Sequence, residues 1–74
     1  MMPLTMVSEG EVVRLVALRG GRGMNKRLAD LGLTIGMTVR VIRCIHDGPM
    51  ILDVKDSRLA IGRGMAHHLM VEIA

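Results

Sequence analysis

The chain has 74 residues, a net charge of +3 and a composition that is half hydrophobic, with no phenylalanine, tyrosine or tryptophan. This composition excludes an aromatic core and the aromatic platforms on which single-stranded nucleic acids stack. We therefore expect one small domain whose core combines aliphatic residues with the eight methionines. The modest positive charge favours acidic partners, and the high apolar fraction favours a protein partner or a homo-oligomer.

The only cysteine is Cys44, which excludes an internal disulfide. The sequence shows no secretory signal pattern and no apolar run of about 18 residues, the length that a membrane-spanning helix requires. We therefore expect a cytoplasmic protein that does not insert into a membrane.

The first half of the chain predicts a strand followed by a helix. Residues 11–18 (EVVRLVAL) are mostly aliphatic or β-branched and predict the first strand. A glycine cluster then interrupts the pattern. Met24, Leu28 and Leu31 recur at the spacing of one helical face, which predicts a helix of about two turns. Gly32 is expected to end this helix in a left-handed conformation, with Leu33 as the hydrophobic closure.

The second half predicts short strands joined by tight turns. Alternation of apolar residues begins at Met37 and changes phase after Val41, which predicts a β-bulge there. The Asp47-Gly48 pair and the segment KDSR predict turns. Strands are expected around them, GRGMAHH reads as a turn or short helix, and LMVEI as the final strand. The pattern favours a mainly β fold, a small SH3-like barrel of about five antiparallel strands with one short inserted helix, whose closure would hide the sheet edges.

The glycine-rich segment GRGMNK precedes the predicted helix but lacks the G-x-x-x-x-G-K-[ST] pattern of a phosphate loop. A turn that needs glycine explains it better than nucleotide binding. Basic residues Arg19, Arg22, Lys26 and Arg27 cluster beside it, so a basic barrel that binds nucleic acid or resembles a transcription regulator is an alternative. The other interpretation of the cluster is a solvated helix face.

Metal and catalytic sites have less support in the sequence. Cys44 and His46 are close together, but no C-x₂-C or H-x₃₋₅-H spacing is present, so we assign no metal ligand and no cofactor. Direct handling of Fe(II) by these two residues is a weaker hypothesis. The acidic residues are scattered, no nucleophile, base and orienting group can be assembled, and a substrate pocket is not expected in so small a domain. We therefore expect no enzyme activity.

Several short motifs, in a consistent order, resemble the FeoA family of small ferrous-iron-transport accessory proteins. They are Gly20-Gly21, Arg27-Leu28, Leu31-Gly32-Leu33, Gly36, Gly48-Pro49, Arg58-Leu59-Ala60 and Ala66. The similarity extends from about Leu4 to Ile73, so residues 1–74 are interpreted as a single FeoA-like, SH3-like domain. Two positions depart from the family pattern: Ile35 stands where proline is common, and Gly64 where glutamate is frequent.

The resemblance implies an SH3-like barrel and a non-catalytic, cytoplasmic role beside a FeoB-type membrane GTPase that carries Fe(II), so the protein would be peripheral to the membrane through this partner. We expect docking through the predicted helix and the LGL segment that follows it. The candidate contacts are Arg22, Lys26, Arg27, Leu33 and Ile35, because interfaces combine arginine with apolar area. The alternative is that Leu33 and Ile35 fill the core.

Overall fold

The computed structural model describes residues 1–74 as one curved antiparallel sheet with two helices. Its elements are β1 (Met2–Pro3), a 3₁₀ turn (Leu4–Met6), β2 (Val12–Leu18), α1 (Gly21–Asp30), β3 (Thr38–Cys44), β4 (Met50–Val54), β5 (Ser57–Ile61), α2 (Arg63–Ala66) and β6 (Leu69–Ile73). The mainly β prediction with an inserted helix is confirmed. None of the helices is long and apolar enough to cross a membrane.

The sheet has six strands in the order β1-β6-β2-β3-β4-β5. The prediction of about five strands missed β1, which has only two residues and pairs Met2 with Val71 and Pro3 with Met70. A strand of two residues that includes proline carries no alternation, so the sequence had no signal for it. The hydrogen-bonded order is linear, and β1 and β5 remain as edges. The expectation that closure would hide the edges was therefore wrong.

Two bulges bend the strands. The β3–β4 register shifts between Val41 and Arg43, which confirms the bulge predicted from the phase change. A second shift, between Leu15 and Ala17 in the β2–β6 pairing, was not predicted. An extra residue increases local twist and bends a strand, and this bending lets a small sheet enclose a core.

The core consists of fifteen buried residues, and none of them is polar. Six are leucines and six are valines; Met50, Ile61 and Ala66 complete the set. Among the eight methionines only Met50 is fully buried, while Met2, Met24, Met37 and Met65 pack around the margin. Aliphatic residues thus form the centre of the core, and the flexible methionine side chains fill its periphery.

Candidate docking surface

Helix α1 is joined to the end of β2 through Asn25. Its side-chain Oδ1 accepts a hydrogen bond from the backbone N–H of Gly20 (3.2 Å), and its Nδ2 donates to the carbonyl oxygen of Leu18 (3.4 Å). Gly20 also lies under Met24, because a Cβ built on this glycine would be 2.5 Å from the Met24 sulfur. The close approach explains the need for glycine here.

The C-terminal end of α1 forms the glycine-terminated motif that the sequence predicts. Gly32 has φ +92°, its N–H donates to the carbonyl of Ala29 (2.9 Å), and the N–H of Leu33 donates to that of Leu28 (3.0 Å). These are the two hydrogen bonds of a Schellman motif, which is accompanied by an apolar contact across the helix end. Both Leu28 and Leu33 are buried accordingly.

The burial of Leu33 corrects its assignment as a candidate contact residue. Its exposed fraction is 1%, so it offers no area to a partner, and the alternative that it fills the core is right for this residue. The same alternative is wrong for Ile35, which is 57% exposed. Leu31 is more exposed than the sequence predicts. The sequence placed it on the buried helical face, but α1 ends at Asp30 and Leu31 is 44% exposed.

The three predicted basic contacts are all exposed. Lys26 lies 3.9 Å from Asp30, one turn later in α1, and both side chains are largely in solvent, so this pair contributes little to stability. Neither Arg22 nor Arg27 forms an ion pair. We name the exposed set Arg22, Lys26, Arg27, Leu31 and Ile35 the helix corner. It offers two unpaired guanidinium groups and two exposed aliphatic side chains in one short stretch of chain.

One depression lies on the outer surface of the sheet, with a volume of about 340 Å³. This depression is open to solvent and is not enclosed by the core, so it does not contradict the expectation that so small a core leaves no room for a substrate pocket. Its lining is Val12, Thr38, Val39, Arg40, Asp53, Lys55 and Asp56. Two cationic and two acidic side chains offset each other there, and the lining includes no histidine, cysteine or serine.

The residues considered for Fe(II) do not assemble into a donor cluster. The Cys44 thiol is half-buried and donates to the carbonyl of Val7 (3.6 Å), whereas the His46 ring is in solvent, 3.3 Å from the Asp47 carboxylate. The structure has no group of three or more histidine, cysteine, aspartate or glutamate side chains that could hold a metal ion.

Comparison with known proteins identifies the family of this chain. The protein-family model of the FeoA domain matches residues 2–73. "Putative Fe(2+) transport protein A" from Methanocaldococcus jannaschii is 43% identical over 74 residues, covering all of this chain and 89% of the relative.

Solved structures show the same fold. The crystal structure of an iron uptake regulatory protein (FeoA) superposes with a TM-score of 0.89 at 34% identity, covering 99% of this chain and 96% of the other. The manganese regulator SloR superposes with a TM-score of 0.87 at 19% identity, covering 99% of this chain but 34% of SloR, a likeness of fold alone. The SH3-like prediction is confirmed by the FeoA structures. With a family match along nearly its whole length and a curated relative at 43% identity, the chain belongs to the FeoA family.

Proposed function

We propose that this protein is a non-catalytic accessory protein of ferrous iron transport that docks on the cytoplasmic part of a FeoB-type membrane GTPase and regulates it. The observation that carries the proposal is the match of the FeoA domain to residues 2–73. Two similar proteins point the same way, one named "Putative Fe(2+) transport protein A" and the other named as an iron uptake regulatory protein.

The helix corner is the docking surface that the exposed side chains favour. Arginine is enriched at interfaces whose buried centre is apolar, and Arg22 and Arg27 have no internal partner that docking would have to break. Leu31 and Ile35, which follow α1 in the chain, supply exposed apolar area. A complementary partner surface would be acidic with an apolar centre.

A pulldown with the cognate GTPase tests this surface. The Arg22→Glu/Arg27→Glu variant should lose binding while its thermal melt changes little, because both side chains are exposed. The matched control is Arg43→Glu/Lys55→Glu, which changes the net charge equally. Arg43 lies in β3 beyond Arg40, which pairs with Val12 at the start of β2. Helix α1 follows the other end of β2, so Arg43 lies at the opposite end of this strand pair. Equal binding by both variants would exclude the helix corner as the contact, and a loss in both would indicate a general charge effect.

Nucleic-acid binding is the alternative function, and it has weaker support. The likeness to the regulator SloR is at 19% identity and concerns the fold alone. The chain also has no aromatic residue on which a base could stack. The remaining route is salt-dependent contact between the basic residues and a duplex backbone.

A further inference from the structure

The two edges of the sheet differ in how well they are protected. At one edge, β1 has two residues, includes Pro3 and runs directly into a 3₁₀ turn. The other edge is β5, with five residues, no proline and no bulge in its pairing with β4. An unprotected edge strand is a template for another strand. The β5 edge is therefore where this protein can extend its sheet.

The hairpin geometry identifies which backbone groups of β5 are free. Lys55 and Asp56 both have positive φ (47° and 66°), as the two central residues of a type I′ turn do. In such a hairpin the closing pair, here Val54 and Ser57, is hydrogen-bonded, and every second pair after it is also hydrogen-bonded. The N–H and C=O groups of Arg58 and Ala60 therefore point away from β4.

No other part of the protein uses these groups. Neither residue appears in any backbone hydrogen bond outside the strand ladders or in any side-chain hydrogen bond. Both Arg58 and Ala60 are exposed. The edge thus presents two donors and two acceptors at the spacing that an added strand needs.

Charge selects the kind of strand that fits. Arg58 lies on the outer face in one row with Asp53 and Arg40, and neither arginine forms an ion pair. Arg43 lies two strands away on the same face, opposite Ile51, which in turn is opposite Ala60. Nearest the edge, Arg40, Lys55 and Arg58 stand against the two carboxylates Asp53 and Asp56, and this excess of positive charge favours acidic side chains on an added strand. Arg43 is too far from that strand to pair with it.

The opposite face of β5 favours apolar side chains on an added strand. Leu59 is half-buried against the core and Ile61 is 1% exposed. Because side chains alternate between the two faces of a strand, every second residue of a partner strand would lie on the same face of the sheet as Leu59. The best-fitting segment therefore alternates acidic and apolar residues.

We propose that the β5 edge binds an extended acidic segment of another protein by strand addition, with acidic side chains over Arg58 and apolar ones over Leu59. The proposal does not depend on ferrous iron transport or on the helix corner. A second copy of this chain fits less well. Full antiparallel overlap of two β5 strands about Leu59 would put the two Arg58 side chains diagonally across from each other with no carboxylate opposite.

Titration of the ¹⁵N-labelled full chain with an acetylated, amidated peptide of alternating glutamate and valine tests the proposal. We expect chemical-shift changes centred on the Arg58 and Ala60 amides, with slowed hydrogen exchange at both. A peptide of alternating lysine and valine should bind about tenfold more weakly, because it replaces cross-strand attraction by repulsion. Shift changes that leave the β5 amides unaffected, or equal binding of both peptides, would overturn the proposal.

Two substitutions distinguish the contribution of charge to peptide binding from that of backbone hydrogen bonding. Arg58→Glu should weaken binding of the acidic peptide about tenfold and strengthen that of the lysine peptide, while the control Arg43→Glu, two strands from the edge, should change either by less than about twofold. Ala60→Pro removes one outward N–H without touching the β4 ladder and should abolish the slowed exchange. Equal effects of Arg58→Glu and Arg43→Glu would reduce the binding to general electrostatics. Protection of the Arg58 and Ala60 amides without peptide, together with a dimer in sedimentation equilibrium, would assign the edge to a second copy.

Discussion

Replacement of Leu33 by alanine should destabilise the protein strongly, whereas replacement of Ile35 should not. Leu33 is 1% exposed and forms the apolar part of the α1 terminus. Truncating a buried leucine costs about 2–5 kcal/mol, because the lost transfer free energy is joined by the cost of the cavity. Ile35 is 57% exposed, so its truncation should cost about 1 kcal/mol or less and should leave no cavity.

The difference is large relative to the stability of so small a protein. At about 0.05–0.15 kcal/mol per residue, the whole chain is stable by about 4–11 kcal/mol. Leu33→Ala would therefore remove a substantial fraction of the free energy of unfolding, and a loss of 1 kcal/mol lowers the melting temperature by about 4–8 °C in a domain of this size. Urea denaturation of both variants gives the two free energies directly.

The binding assay completes the comparison. Ile35→Ala should weaken the pulldown with the GTPase, whereas Leu33→Ala, corrected for its folded fraction, should not. Equal losses of stability in the two variants would show that Leu33 is not part of the core. A selective loss of binding in Leu33→Ala would restore its original assignment to the docking surface.

Three further outcomes are expected. Gly23→Ala should raise the melting temperature, since Gly23 lies in the first turn of α1 with open space around it and helical alanine is favoured over glycine by up to about 1 kcal/mol. Gly32→Ala should lower the melting temperature, because φ is +92° and a left-handed alanine costs about 1–2 kcal/mol. Changes of the same sign would contradict the assigned helix end. A double-mutant cycle on Arg14 and Glu72, 2.8 Å apart and about half-exposed, should give a coupling of about 0.2–1 kcal/mol that falls with added salt; a salt-independent coupling would contradict this screening. Labelled RNA and DNA should show no shift at low salt, and a salt-dependent shift would favour the nucleic-acid alternative.

Local patterns in the sequence were enough for most of the fold. Aliphatic and β-branched composition identified β2, alternation identified the strands from β3 to β6, and the change of phase after Val41 identified the bulge in β3. Gly32 identified the end of α1, because a left-handed residue after a helix is usually glycine. Each of these features depends on neighbours within a few residues, and such features are readable from one chain.

The exposure of the candidate docking residues was predicted less completely. The exposed positions of Arg22, Lys26 and Arg27 follow from helical spacing and charge. The sequence placed Leu31 on the helical face with Leu28 and Leu33 among the contact residues, whereas the structure exposes Leu31 and buries Leu33. Periodicity extends the predicted helix to Leu31, but α1 ends at Asp30 and the chain turns at Gly32. Two leucines on either side of a glycine look alike in the sequence, and the Schellman hydrogen bonds decide which one turns inward.

The sequence by itself determined that this protein is a small, mainly β domain with an aliphatic core, because strand alternation, turn residues and composition act locally or on the chain as a whole. Only the tertiary structure decided that β1 pairs with β6, that the ladder stays open at β5, and that Arg58 and Ala60 turn their backbone groups outward. These properties depend on which distant segments become neighbours. Pairing between strands is set by packing across the whole sheet, and no single segment carries that information.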